Sequence, residues 1–176
     1  MAPSRREALI LGAAGIAAAA AGFLAGPLLL GEKGRGDDAL RSVTLVDLAG
    51  KPRPAAEWDG QVLVWNFWAT WCAPCREEIP LLIAAREKYK LLGVEIVGIA
   101  IDNAVKVREF SSSFAISYPV LLAGTDGLEL MRKLGNSSGG LPYTVVVDPK
   151  GKVVRRKLGA LKQGDLDAIL GPLTRS

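Results

Sequence analysis

Gln61-Val62-Leu63-Val64-Trp65-Asn66-Phe67-Trp68-Ala69-Thr70-Trp71-Cys72-Ala73-Pro74-Cys75 is the stretch that decides the fold. Residues 61–68 are apolar, β-branched and aromatic, the pattern of a central strand. Pro74 suits a first helical turn, where its missing N–H costs nothing. From Pro74 or Cys75 a helix is expected to about Lys90, with Ile79, Leu82, Ile83 and Arg86 on successive turns and a kink at Pro80. The cysteines thus fall at a strand-to-helix junction, where free backbone N–H groups and the helix dipole favour negative charge. Cys72 is expected to have a lowered pKa, and thiolate is the form that attacks disulfides. Cys75, one turn further in, is expected to stay protonated until it resolves a mixed disulfide.

Composition narrows the chemistry. The 176 residues contain no histidine, which removes Ser/His and Cys/His hydrolases, a His-ligated zinc site and a His general base. There are only two cysteines, too few for a four-cysteine zinc site, and a bond closing so short a loop is a poor staple. Such a pair is better placed for redox exchange, and no metal or other cofactor is called for. The net charge of +4 is too small to argue for nucleic acid. The short basic run Arg155-Arg156-Lys157 reads as a solvated strand end.

Residues 8–30 carry no charge and are rich in Ala, Leu, Gly and Ile. As a helix they would reach about 34 Å, enough for a hydrocarbon core of roughly 30 Å. Arg5 and Arg6 precede the run, so residues 1–7 are expected in the cytoplasm and the rest beyond the membrane. Ser4 to Leu9 looks like a degenerate twin-arginine signal. Cleavage at small residues such as Ala19 and Ala21 would leave the apolar stub 23–30, and retention as an anchor is the favoured reading. Residues 31–39, rich in glycine and charge, read as a linker to a domain over 40–176.

In that domain, strands are expected at Val43 to Leu48, Val94 to Ile101, Tyr118 to Leu122, Tyr143 to Asp148 and Lys152 to Arg156, with a breaker at Lys51-Pro52-Arg53-Pro54. Helices are expected at Val105 to Phe114, Leu128 to Leu134 and Gly164 to Leu170. Pro149-Lys150-Gly151 supplies a tight turn. Early strand–helix–strand order and a late hairpin imply an α/β fold, a mixed sheet with helices on both faces.

Asn66 to Pro80 closely resembles the TlpA/ResA-type branch of thioredoxin-like proteins, exported reductases associated with cytochrome c maturation and copper-site assembly. The resemblance spans roughly residues 40–172 and includes Val97 to Asp102, Gly140-Leu141-Pro142, Val145 to Asp148 and Gly151 to Val154. It implies a helix-plus-strand insertion between Asp102 and Leu128. It implies a cis Pro142 beside the dithiol, lining with Leu141 a groove for the partner's backbone. It implies that Glu78 moves protons at the buried thiol, and a three-residue helical step puts Glu78 on the face of Cys75; Glu77 reads as a surface carboxylate. Trp71 either shields the nucleophile and offers a flat apolar contact, or packs in the core. Tyr143 departs from the small or acidic residues frequent after this proline, which points to an unusual choice of partner. The partners implied are a disulfide of apocytochrome c or of a copper-site protein, and a membrane thiol transporter as electron donor, with the catalytic domain on the periplasmic side of the cell membrane.

Three rivals share parts of this pattern. A disulfide-forming oxidant often carries His between its cysteines, where Ala73-Pro74 stand here. A peroxiredoxin-like peroxidase needs Thr three residues before the attacking cysteine, and Ala69 holds that place. A Cu(I) metallochaperone has the two thiolates but no Met or His nearby in sequence to complete its site.

Overall fold

The computed structural model describes residues 40–174. Among them are seven strands: β1 Thr44–Asp47, β2 Pro52–Pro54, β3 Val62–Trp68, β4 Val94–Ala100, β5 Val120–Leu122, β6 Tyr143–Val147 and β7 Val153–Leu158. The helices are α1 Ala73–Tyr89, α2 Ala104–Ser113, α3 Asp126–Lys133 and α4 Gln163–Leu173. The strands form one sheet in the order β2-β1-β5-β4-β3-β6-β7. β4 runs parallel to β3 and β5, and every other pairing is antiparallel. The mixed sheet with helices on both faces is the architecture expected from the sequence, and α2 and β5 fall in the expected insertion. The apolar span expected over 8–30 lies outside the described residues, and within them no helix is long and apolar enough to cross a membrane.

Two cores sandwich the sheet. Residues 62, 64 and 68 of β3 face Cys72, Cys75, Ile79 and Leu82 of the α1 side, with Val107 of α2 and Leu166 and Leu170 of α4. The alternate residues Leu63, Trp65 and Phe67 face Leu130 and Met131 of α3, together with Trp58. Every residue of β3 and β4 is buried, which is why both read as unbroken apolar runs. Glu95, the polar exception in β4, is held by Arg86 Nε at 2.5 Å and Nη2 at 3.0 Å, and Arg86 also donates to the Ser117 carbonyl. Arg86 therefore fits the inward spacing of α1 because its charge is paired.

The segment read as a breaker, Lys51-Pro52-Arg53-Pro54, contains an edge strand instead. Pro52 and Pro54 oppose Val46 and Thr44. The bonds at the strand's ends are made by the Lys51 carbonyl with Asp47 N–H and by Ala55 N–H with the Val43 carbonyl. An edge strand needs donors on one side only, so proline fits there and blunts the edge against further pairing. Arg53 pairs with Glu57 and lies 5.2 Å from the Trp58 ring centroid, fixing the 3-10 turn Ala55–Trp58 that the sequence reading did not resolve. At the hairpin, Asp148 Oδ1 accepts the N–H groups of Lys150 and Lys152, and Gly151 takes φ +82°.

Gly98 of β4 is demanded by close packing. A Cβ there would lie 2.9 Å from both Trp68 Nε1 and Tyr118 Cε2, two buried rings. Gly98→Ala is expected to cost about 1–3 kcal/mol in urea unfolding of the oxidised chain, the usual penalty for overpacking. A neutral result would show that these rings yield freely.

Candidate active site

Cys72 caps α1 in extended conformation (φ −85°, ψ 102°), and Ala73 and Pro74 open the helix, one or two residues earlier than expected. Its N–H donates to the Ala69 carbonyl at 3.1 Å and its carbonyl accepts from Arg76 N–H at 3.2 Å. The loop is thus folded back onto the end of β3 and led straight into the helix. Cys72 is 5% exposed and Cys75 fully buried, joined in a disulfide with Cα atoms 5.3 Å apart. The difference in access matches an outer attacking sulfur and an inner resolving one.

Glu78 is 1% exposed, one turn inside α1 from Cys75. Asn66 Nδ2 of β3 donates to its Oε1 at 2.7 Å, and Leu161 N–H donates to Oε2 at 2.7 Å. Asn66 Nδ2 also reaches Thr144 Oγ1 of β6 at 3.1 Å. Burial pushes the Glu78 carboxyl above the usual glutamate range, although both hydrogen bonds and the charge of Lys157 pull the other way. Glu77 beside it is exposed, as expected.

The remaining predicted residues divide around the dithiol. Trp71 is 69% exposed while Trp68 is buried, so the core-packing alternative for Trp71 is excluded. Its ring stands out beside Cys72 as a flat apolar surface. Pro74 is exposed on the first turn of α1. Leu141 is half-buried and packs against the core that contains both cysteines, and the Leu141–Pro142 peptide bond is cis. Tyr143, which follows, pairs with Phe67 near the end of β3, so the cis bond sits at the edge from which the motif departs. Tyr143 itself does not line the groove. Its ring is buried against Phe67 on the opposite sheet face, and its hydroxyl donates to the Leu134 carbonyl at 2.6 Å. The unusual residue after the proline caps α3, and the partner preference read from it has no basis there.

Three features were not read from the sequence. Asn66 is the sole polar side chain in an apolar strand, and that anomaly was the available signal. Thr70 donates its N–H, at 3.2 Å, and its hydroxyl to Asp102 Oδ2 beyond β4, tethering the loop two residues before Cys72. Burial raises Asp102, but these bonds and the Asn103 N–H outweigh it and hold the carboxyl below its usual range. Arg76 lies 5.8 and 5.7 Å from the centroids of Phe110 and Phe114, themselves stacked at 4.1 Å, a cation held on the insertion beside the dithiol.

A dithiol at a helix start, with a cis-proline at the neighbouring strand end and a buried carboxyl behind, is equipped for thiol–disulfide exchange. Residues 35–170 match the Redoxin family. The chain is 31% identical over 131 residues to the thiol-disulfide oxidoreductase ResA of Bacillus thuringiensis, covering 74% of this chain and 73% of that protein. It belongs to the redoxin family, among the ResA-type thiol-disulfide oxidoreductases. Two solved structures agree with this. A thioredoxin-family thiol:disulfide interchange protein of Chlorobium tepidum superimposes with a TM-score of 0.67 at 32% identity, over 76% of this chain and 94% of that one. A secreted Mycobacterium tuberculosis disulfide oxidoreductase homologous to E. coli DsbE gives 0.65 at 25% identity, over 78% and 99%. The chain is a thiol–disulfide oxidoreductase.

The state of Glu78 makes a prediction about pH. A carboxyl whose folded pKa is raised favours folding while it is protonated, and that contribution is lost as pH rises from the unfolded value through the folded one. Glu78→Gln has no such loss. The melting temperature of the parent is therefore expected to fall relative to that of the variant as pH rises above the usual carboxylate range, both measured oxidised. An offset independent of pH would mean that burial does not govern Glu78.

Proposed function

We propose that the protein is a membrane-anchored reductase of disulfides in exported proteins, working through Cys72, Cys75 and Glu78 beyond the cytoplasmic membrane. The observation that carries this reading is the buried Glu78 carboxyl, one helical turn from a fully buried Cys75 and clasped by Asn66 and Leu161. Reduction of a partner needs a base at the inner thiol at the moment of resolution, and the interior holds such a group.

In the cycle, the Cys72 thiolate attacks the partner's disulfide and forms a mixed disulfide, and the first partner sulfur leaves as a thiolate that takes its proton from water. Cys75 gives its proton to Glu78, attacks Cys72 Sγ and releases the second partner sulfur. Two electrons pass to the partner, and Cys72–Cys75 becomes the disulfide seen here. Trp71, Pro74, Leu141 and Pro142 line the contact groove, in which Leu141 presents backbone to an extended partner segment while the buried Pro142 gives its carbonyl to Gly159 N–H. A membrane thiol transporter returns electrons from the cytoplasm. The apolar run 8–30 behind Arg5 and Arg6 and the likeness to a secreted disulfide oxidoreductase support export. The resemblance to the TlpA/ResA branch supports apocytochrome c or a copper-site protein as substrate.

Two measurements test this. Cys75→Ala in the full chain is expected to accumulate Cys72–partner adducts that are visible on non-reducing gels and vanish with reductant; no adducts would count against the exchange cycle. The reduction potential, read from tryptophan fluorescence in redox buffers, is expected near or below about −220 mV. A value approaching roughly −120 mV would make the protein an oxidant.

A further inference from the structure

Across the sheet behind the dithiol runs a single polar row. Asn66 of β3 is the register partner of Thr144 of β6, and Thr144 is the register partner of Lys157 of β7. Directly opposed residues share a sheet face, so all three side chains lie on the side of α1 and Glu78. Asn66 and Thr144 are buried and bonded to each other. Lys157 at the end of the row was read as part of a solvated strand end, yet it is half-buried while Arg155 and Arg156 are exposed. Its Nζ donates to Asp165 Oδ2 of α4 at 2.8 Å, and the same oxygen accepts Lys162 N–H at 2.8 Å. The connection from β7 and the first turn of α4 thus carry two contacts a few residues apart, Leu161 N–H on Glu78 and Asp165 on Lys157.

From this geometry we propose that the Lys157–Asp165 pair is a positioning device for Glu78, setting the local field in which that carboxyl takes and returns the Cys75 proton. The inference rests on the reading of Glu78 as the base. Among the described residues, the groups bonded to Glu78 or acting on it are Asn66 from β3, the Leu161 N–H, Lys157 from β7 and the buried Tyr118 hydroxyl ahead of β5, with Cys75 one turn away on its own helix and Thr144 of β6 reaching it through Asn66. Tyr118 is neutral, since burial and the Glu78 charge both hold its hydroxyl far up. Among the described residues, Lys157 is the one cation that acts on Glu78. Its effect depends on Asp165, because an adjacent anion cancels part of a cation's field at a third point. Lys157 in turn holds Asp165 below the usual carboxylate range, so the anion is present at neutral pH. The Lys157 charge favours the Glu78 carboxylate, and the Asp165 charge beside it limits that effect.

The two partners therefore have opposite effects. Lys157→Met removes the cation and disfavours the Glu78 carboxylate; Asp165→Asn leaves the cation uncancelled and favours it. Both substitutions break the same ion pair, so a merely structural role would move the readout the same way in each. The test is single-turnover reduction of glutathione disulfide by the full chain in detergent, followed by tryptophan fluorescence across the neutral range. Lys157→Met is expected to move the pH midpoint upward and slow the reaction at neutral pH about threefold, the factor carried by about half a unit of acidity. Asp165→Asn is expected to move the midpoint downward, and Lys157→Arg to restore the parental profile. In a Glu78→Gln background neither substitution is expected to move the profile. Shifts in the same direction, or none, with the Glu78→Gln effect intact would overturn the role of the pair. An unchanged profile in Glu78→Gln itself would instead overturn the reading of Glu78 as the base.

Discussion

The structure depends on where a fully buried strand ends. All seven residues of β3 are inaccessible, with β4 and β6 on its two edges and helices over both faces. A backbone leaving such a strand must satisfy its polar groups at once, and the chain does so by turning on Ala69 and entering α1 at Cys72. That turn sets the first sulfur at the rim and the second in the interior. The access that distinguishes the two cysteines is therefore a property of the central strand as much as of the motif.

The same burial explains why one carboxyl sits behind the dithiol. An isolated ionised carboxylate inside apolar packing is costly, and a hydrogen-bonded one much less so. Glu78 receives a side-chain donor from the strand beneath it and a backbone donor from the connection before α4, so both oxygens are occupied. Two bonds lessen the cost without removing it, and the carboxyl remains a weaker acid than in water. A carboxyl held in that way, one helical turn from Cys75, suits the role of base proposed for it.

The central part of this arrangement was legible because burial on both faces leaves a strong imprint. β3, β4 and β6 are apolar runs, and the C-x-x-C stands where the pattern changes period from strand to helix. The edges were obscure for the opposite reason. β2 has two prolines, which argue against a strand unless one side faces solvent, and a sequence does not say which strands are edges. Tyr143 was misread because its position after Pro142 was taken as access to the groove, although alternation along β6 turns its ring to the other face. Lys157 was obscured by its two arginine neighbours. Only the register with Thr144 reveals that the third basic residue turns inward.

Register also explains how parts far apart in sequence act on one sulfur pair. Antiparallel pairing places Asn66, Thr144 and Lys157 from three strands in one line, and Leu161 of the following connection and Asp165 of α4 join it at Glu78 and Lys157. On the other side of the dithiol, the parallel neighbour β4 delivers Asp102 to Thr70, and the insertion delivers Phe110 and Phe114 to Arg76. The inner sulfur is thereby surrounded by groups anchored in the sheet, whereas the outer one is flanked by exposed Trp71 and Pro74. The buried carboxyl thus sits in the packed part of the molecule and Trp71 and Pro74 in the accessible part, so substitutions at those surface positions leave the packing beneath undisturbed.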